Sequence, residues 1–370
     1  MNKNPLIELE SFGQSIWLDY ISRDLITSGK LEKLINDDGL RGMTSNPSLF
    51  EKAIIETPDY NNDIRKMIGA GKNIKAIYET LTIEDVKNVA DIFKPLYDKM
   101  KGKDGYVSLE VNPHLAHDFQ GTVNEARHLW QLLARPNVFI KVPATKEGLK
   151  AIKQLISEGI NVNVTLLFGL DRYREVAQAY LDGIEERIRQ NKPVDQVYSV
   201  ASFFLSRIDV IIDPLLNKHI ENKSELAKQL QGQCAIASAK MAYHIYEEIV
   251  EGVQCQKLMA KGANVQRLLW ASTSTKNPAY SDTKYVEPLI GPETVNTMPL
   301  ETLNAYRDHG QPGNRIKQNI DEAEQVFADL PKLGIDINQI TQQLEDEGVD
   351  KFNQAYDKLL AALNKSVEKA

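Results

Sequence analysis

Asn137-Val138-Phe139-Ile140-Lys141-Val142-Pro143-Ala144-Thr145 sets one lysine inside a run of apolar, β-favouring side chains. Val138, Phe139, Ile140 and Val142 read as a strand buried on both faces. An ammonium is costly in such a strand, and desolvation favours the neutral amine of Lys141. A neutral amine is a nucleophile that condenses with a carbonyl to form a Schiff base. A lysine paired with a carboxylate, or one snorkelling from a strand end, satisfies the same segment equally well. The segment alone leaves the two readings even.

Outward from that strand, short apolar runs alternate with longer amphipathic ones through about the first 300 residues. Candidate strands are 15–20, 40–44, 106–111, 138–142, 161–167, 197–203, 267–271 and 294–297. Helix-period segments between them include 83–100, 122–133, 146–157 and 170–190. In the last, Leu170, Tyr173, Val176, Ala177, Tyr180, Leu181 and Ile184 keep returning to one face. Gly159 and Pro193 mark two of the helix ends. Strands alternating with helices predict a parallel sheet, and eight of them close a (β/α)8 TIM barrel, an α/β fold. A doubly wound open sheet is the other arrangement, but no G-x-G-x-x-G follows the first strand.

The segment 273–293, rich in Ser, Thr, Asn and Pro, reads as a functional loop after the seventh strand. After Met298 only helical pattern remains, over 299–308, 315–330, 338–347 and 348–365, with Gly310-Gln311-Pro312-Gly313 as the break. Residues 1–370 are therefore expected to form a single barrel domain. About 299–370 would supply the last barrel helix and additional C-terminal helices as a cover.

A formal net charge of -7 provides no broad positive field for nucleic acid or an anionic membrane. No stretch of about 20 apolar residues is present to span a bilayer. Met1 to Glu10 lacks the apolar core of a secretory leader, so the expected location is cytoplasmic. Cys234 and Cys255 fit no zinc or haem spacing, in keeping with a reducing compartment. Cys234, in an alanine-rich helical stretch, reads as a small buried hydrophobe.

In a barrel of this kind the polar residues at the C-terminal strand ends build the active site. The first strand ends Trp17-Leu18-Asp19-Tyr20, the second Met43-Thr44-Ser45-Asn46-Pro47, and the third carries Ser108-Leu109-Glu110-Val111-Asn112. The fourth holds Lys141 and Thr145; the fifth alternates Asn161, Asn163 and Thr165 with Val162, Val164 and Leu166. The sixth ends Ser202-Phe203-Phe204-Leu205-Ser206-Arg207. Each has a structural reading beside the functional one. Asp19 serves equally as a helix cap, turn chemistry accounts for Ser45, and Arg207 suits a surface ion pair as well as an anion. Asn163 and Thr165 point to one side of a strand and, facing a barrel interior, must be hydrogen-bonded. Glu110 is the strongest candidate after Lys141, because a carboxylate in an apolar strand is rarely buried without a partner or a task.

Taken together these groups match Schiff-base carbon–carbon chemistry: an amine nucleophile, a carboxylate for carbinolamine dehydration and a second acid/base for the hydroxyl at the cleaved bond. Hydroxyls and amides would hold a polyol, and an arginine a phosphate. Metal-assisted chemistry needs a histidine or carboxylate cluster instead; His114 and His117, at helical spacing, read as a solvated pair.

The segments 17–22, 42–50, 108–112, 138–145, 161–168 and 202–207 resemble the motifs of the transaldolase family, in the family's order. The tail, with Asp346-Glu347-Gly348-Val349-Asp350-Lys351-Phe352, resembles the longer bacterial branch of that family. The resemblance implies a (β/α)8 barrel whose Schiff-base lysine is Lys141, and no cofactor or metal. It implies transfer of a dihydroxyacetone unit from sedoheptulose 7-phosphate to glyceraldehyde 3-phosphate, in the non-oxidative pentose phosphate pathway. Carried over by motif, Asp19 handles the substrate hydroxyl, and Glu110 and Thr165 the water and proton steps. Thr44, Asn46, Asn163 and Ser202 hold the dihydroxyacetone portion and Arg207 the phosphate, with Phe204 and Ser272 beside them in the substrate-binding set. One departure stands out: shorter relatives carry a second arginine where this chain has Ser274, and Lys276 is the natural substitute cation.

The alternative within enzymes is a fructose 6-phosphate aldolase-like class I aldolase that releases dihydroxyacetone. The alternative outside them is a non-catalytic sugar-phosphate-binding barrel, which would have no need of an amine nucleophile. The expected partners are sugar phosphates, not nucleic acid or membrane, with room for a homo-oligomer.

Overall fold

Eight parallel strands close into a barrel in chain order. They are β1 Gln14–Asp19, β2 Gly42–Thr44, β3 Tyr106–Glu110, β4 Val138–Pro143, β5 Val162–Leu167, β6 Ser199–Phe204, β7 Arg267–Ala271 and β8 Thr294–Met298. The computed structural model describes residues 4–368, so Met1, Asn2 and Lys3 of the N-terminal segment read above lie outside the described residues. Every expected strand is present, shifted at its ends by two residues at most. β1 closes the barrel on β8, with Ser15 opposite Val295 and Trp17 opposite Thr297.

β2 through β8 are buried along their whole length, because helices cover their outer faces while their inner faces fill the barrel. That double burial explains why Val138–Pro143, Lys141 apart, reads as an apolar run rather than an alternation. β2 opens on Gly42 for a steric reason: a Cβ there would meet the Trp17 ring at 2.6 Å. The helix Lys146–Glu158, which follows β4, is capped by Thr145, whose hydroxyl accepts from the Gly148 N–H at 3.0 Å.

Three helix boundaries differ from expectation. The helix before β3 starts at Ile74 rather than 83, because the Asn73 side chain caps it and Ile77 and Leu81 extend its buried face. The stretch expected as a helix over 315–330 is helical only over Ile320–Asp329. Upstream, the N–H groups of Arg315 and Ile316 donate to the Ile290 carbonyl and tie that stretch to the loop before β8. The segments 338–347 and 348–365 form one helix, Ile337–Glu368, running through Gly348. A Cβ on Gly348 would sit 2.8 Å from Leu166 Cδ2, so this glycine permits close approach to β5 instead of ending a helix.

Leu166 has φ +55°, and the β5–β6 register shifts between Val164 and Leu167. This local bulge lies directly after Thr165, at the rim of the barrel, where bulges re-aim side chains. Among the described residues no helix is long and apolar enough to cross a membrane. Cys234 and Cys255 are free and buried.

Candidate active site

Parallel pairing in register brings the C-terminal strand ends together at one face. Glu110 lies opposite Lys141, Lys141 opposite Asn163, and Asp19 opposite Thr44. These side chains come from separate strands, and Asp19, Thr44 and Lys141 among them line one cavity.

Lys141 is 3 % exposed. Its Nζ donates to the Ser45 carbonyl at 3.2 Å and lies 3.4 Å from Glu110 Oε2. The lysine is thus both buried and paired, and the two readings of its strand meet in one geometry. Burial pushes the Glu110 carboxyl up to about 7, against the pull of Lys141, with Asp19 adding to the rise. A carboxyl poised there holds and releases a proton near neutrality, within reach of the amine.

Asp19 does not cap the following helix; Ser22 does, accepting from the Leu25 N–H. Its Oδ1 instead accepts from Thr44 Oγ1 at 2.6 Å, and Thr44 is in turn 2.7 Å from Thr297 Oγ1. Burial raises the Asp19 pKa, while Lys141, the Thr44 hydroxyl and Arg207 pull the other way.

Asn163 Nδ2 donates to Ser108 Oγ at 3.0 Å, and Ser202 Oγ donates to Asn163 Oδ1 at 2.7 Å. This chain fixes the orientation of the Asn163 amide across three strands. Thr165 is fully buried, and its hydroxyl has no hydrogen-bond partner, as the demand for satisfaction inside a barrel would not allow without a task or a ligand. Asn46 Oδ1 caps the helix Pro47–Glu56 through the Leu49 N–H at 3.0 Å, which leaves its amide nitrogen for another acceptor.

Arg207 opens the helix Ser206–Glu221 directly after β6. Its guanidinium lies 5.4 Å from the Phe204 ring centre, and its Nη1 is buried without a partner. Burial lowers its pKa, opposed by Asp19 and Glu110. An enclosed guanidinium with a free donor suits a phosphate. Ser272, at φ +56°, is held by Ser206 across a 2.9 Å hydroxyl pair, and Lys276 Nζ donates to Ser274 Oγ at 2.6 Å.

A cavity of about 590 Å3 opens over these groups. Asp19, Thr44, Asn46, Lys141, Ser202, Phe204, Arg207, Ser272 and Lys276 all line it, whereas Glu110, Asn163 and Thr165 do not. Phe352 of the tail helix lines it too, its ring centre 5.8 Å from Lys141 Nζ. Sequence reasoning missed Phe352, Thr297, Ser108 and the Ser45 carbonyl. Thr297 and Ser108 were legible as polar residues in apolar strands, but the other two depend on chain crossings with no local signature.

His114 and His117 face separate carboxylates, Asp357 at 2.8 Å and Glu147 at 3.5 Å, as exposed pairs. Among the described residues no group of three or more His, Cys, Asp or Glu is arranged to hold a metal ion.

A buried amine beside a carboxyl at the C-terminal rim of a closed barrel defines a class: barrel enzymes equipped for Schiff-base chemistry on a carbonyl. Residues 16–363 match the transaldolase/fructose-6-phosphate aldolase family. The chain is 47% identical to a transaldolase of Trichodesmium erythraeum, over 100% of this chain and 99% of the relative. It is 48% identical to transaldolase 2 of a Nostoc species over 99% and 98%, and 46% identical to a transaldolase of Frankia alni over 97% and 96%. The chain belongs to this family, as an enzyme of the transferase class on its transaldolase side.

Proposed function

We propose that Lys141 carries a dihydroxyacetone unit as a Schiff base, taken from sedoheptulose 7-phosphate and passed to glyceraldehyde 3-phosphate. The observation that carries this reading is the Lys141–Glu110 pair, 3.4 Å apart. A proton passed from the ammonium to Glu110 leaves a free amine and a carboxylic acid. The amine attacks the ketose carbonyl; Glu110 protonates the carbinolamine oxygen, which departs as water, and the unpartnered Thr165 hydroxyl assists the proton and water steps. Asp19, oriented by Thr44, takes the proton of the hydroxyl next to the bond that breaks. Asn46 and Ser202 hold the three-carbon unit, with Asn163 behind Ser202 orienting its hydroxyl, Phe204 and Ser272 flank it, and Arg207 with Lys276 binds the phosphate. No cofactor enters these steps.

Whether the carbanion waits for an aldehyde or is quenched by water separates a transaldolase from an aldolase of the same family. The Phe352 ring over Lys141 favours transfer, since it keeps an apolar surface over the bound unit. We read the chain as one domain with the tail helix as its cover, acting in the cytoplasm on sugar phosphates; sedimentation would assign a monomer or a homo-oligomer.

Borohydride reduction with fructose 6-phosphate, read by peptide mass, tests the proposal. A covalent adduct is expected on Lys141, and Lys141→Ala should lose both adduct and turnover while staying folded. Full activity in that variant would end this mechanism.

A further inference from the structure

Lys141 and Glu110 touch each other but open into different spaces. Lys141 lines the front cavity described above, and Glu110 does not. Glu110 lines a second cavity of about 460 Å3, which Lys141 does not reach. The pair is therefore the partition between two spaces.

The second cavity lies between the helices Ile74–Lys99 and Phe119–Leu133 and the tail helix. Buried Glu110 lines it together with the half-buried Tyr78 and Glu125, and its walls include Tyr356. Glu125 is fixed by the Asn112 N–H at 2.9 Å. Burial first, then Tyr356, Glu110 and Glu125, raise the Tyr78 pKa far above the usual range, so its hydroxyl stays a donor near Glu110. The mouth is at the surface, where Lys75, Asn124 and His128 are exposed. Phe352 and Tyr356, one turn apart on the tail helix, wall the front and rear cavities respectively.

We propose that the rear cavity is a water port serving the Schiff-base step, separate from the mouth through which the sugar phosphate enters. The inference rests on the Schiff-base reading above. In the step concerned, the carbinolamine hydroxyl takes the proton of Glu110 and its C–O bond breaks. The nitrogen lone pair closes the C=N bond, leaving an iminium, one water and the Glu110 carboxylate. A sugar phosphate fills the front cavity at that moment, with Phe352 over the amine. The water forms on the Glu110 side of the partition, and the space behind Glu110 leads to bulk solvent. The same path returns a water for hydrolysis.

Oxygen exchange tests this. Fructose 6-phosphate carrying 18O at its C2 carbonyl is incubated with the enzyme and no acceptor. Loss of label is followed by mass spectrometry, with enzyme-free exchange subtracted, alongside borohydride trapping on Lys141. Two variants plug the rear mouth from facing helices at exposed positions, Asn124→Trp and Lys75→Trp. The expected result is normal trapping at equilibrium in both variants, with washout slowed about tenfold. Washout at the wild-type rate in either folded variant that still traps the adduct would overturn the port, since water would then leave by the front. Absence of trapping in the unmodified enzyme would instead overturn the Schiff-base reading itself, and the port with it.

Discussion

Replacing Glu110 with glutamine removes a charge the fold holds at a cost while keeping the shape of the side chain. Its carboxyl sits at about 7 in the folded chain against an ordinary 4.5, chiefly from burial. The folded state therefore binds the proton more tightly than the unfolded state between those values. Stability is greatest below about 4.5 and declines as pH rises towards about 7. Two and a half decades at about 1.4 kcal/mol each give a full penalty of roughly 3–4 kcal/mol, most of which accrues between pH 5 and pH 8. Glu110→Gln lacks that decline. The counter-charge lost to Lys141 acts in the opposite direction and shifts the absolute stability, so the informative quantity is the change between the two pH values. Denaturant unfolding of both proteins at pH 5 and pH 8 measures it. The variant should gain about 2–3 kcal/mol relative to the parent on going to pH 8, while transfer activity falls by about 10²–10⁴-fold with the loss of the acid. A stability difference unchanged between the two pH values would refute the argument from burial.

Other outcomes follow from named contacts. Phe352→Ala should cost about 3 kcal/mol in unfolding experiments. Free dihydroxyacetone should then rise several-fold relative to transfer product, because water gains access to the bound carbanion. Arg207→Ala should raise KM for phosphorylated sugars by about 10–100-fold, in line with a lost charge-assisted contact, and leave a non-phosphorylated ketose less affected. Gly148→Ala should destabilise the fold by about 3 kcal/mol, since its Cβ would fall 2.0 Å from the Pro143 carbonyl oxygen. Melting temperatures of the parent and variant decide that one.

Much of the barrel is legible in the chain because its signals are local. Strands such as Val138–Pro143 announce themselves by continuous β-favouring side chains, and the intervening helices by their period. Polar residues within those strands, from Asp19 to Arg207, stand out against apolar neighbours, and parallel strands of a barrel must end on one face. The tail was misread where the signal was ambiguous. Gly348 ends helices in one context and permits close packing in another, and only the presence of Leu166 selects the second.

The sequence by itself determined which polar side chains stand at which strand ends, since strand period and order decide both. Tertiary structure alone decided the rest. It set Glu110 3.4 Å from Lys141, brought the Ser45 carbonyl to the amine, laid Phe352 over it and opened a separate space behind Glu110. Those relations depend on barrel closure and on a helix that begins some two hundred residues beyond β4. Contacts between segments so distant leave no periodic trace in the residues on either side.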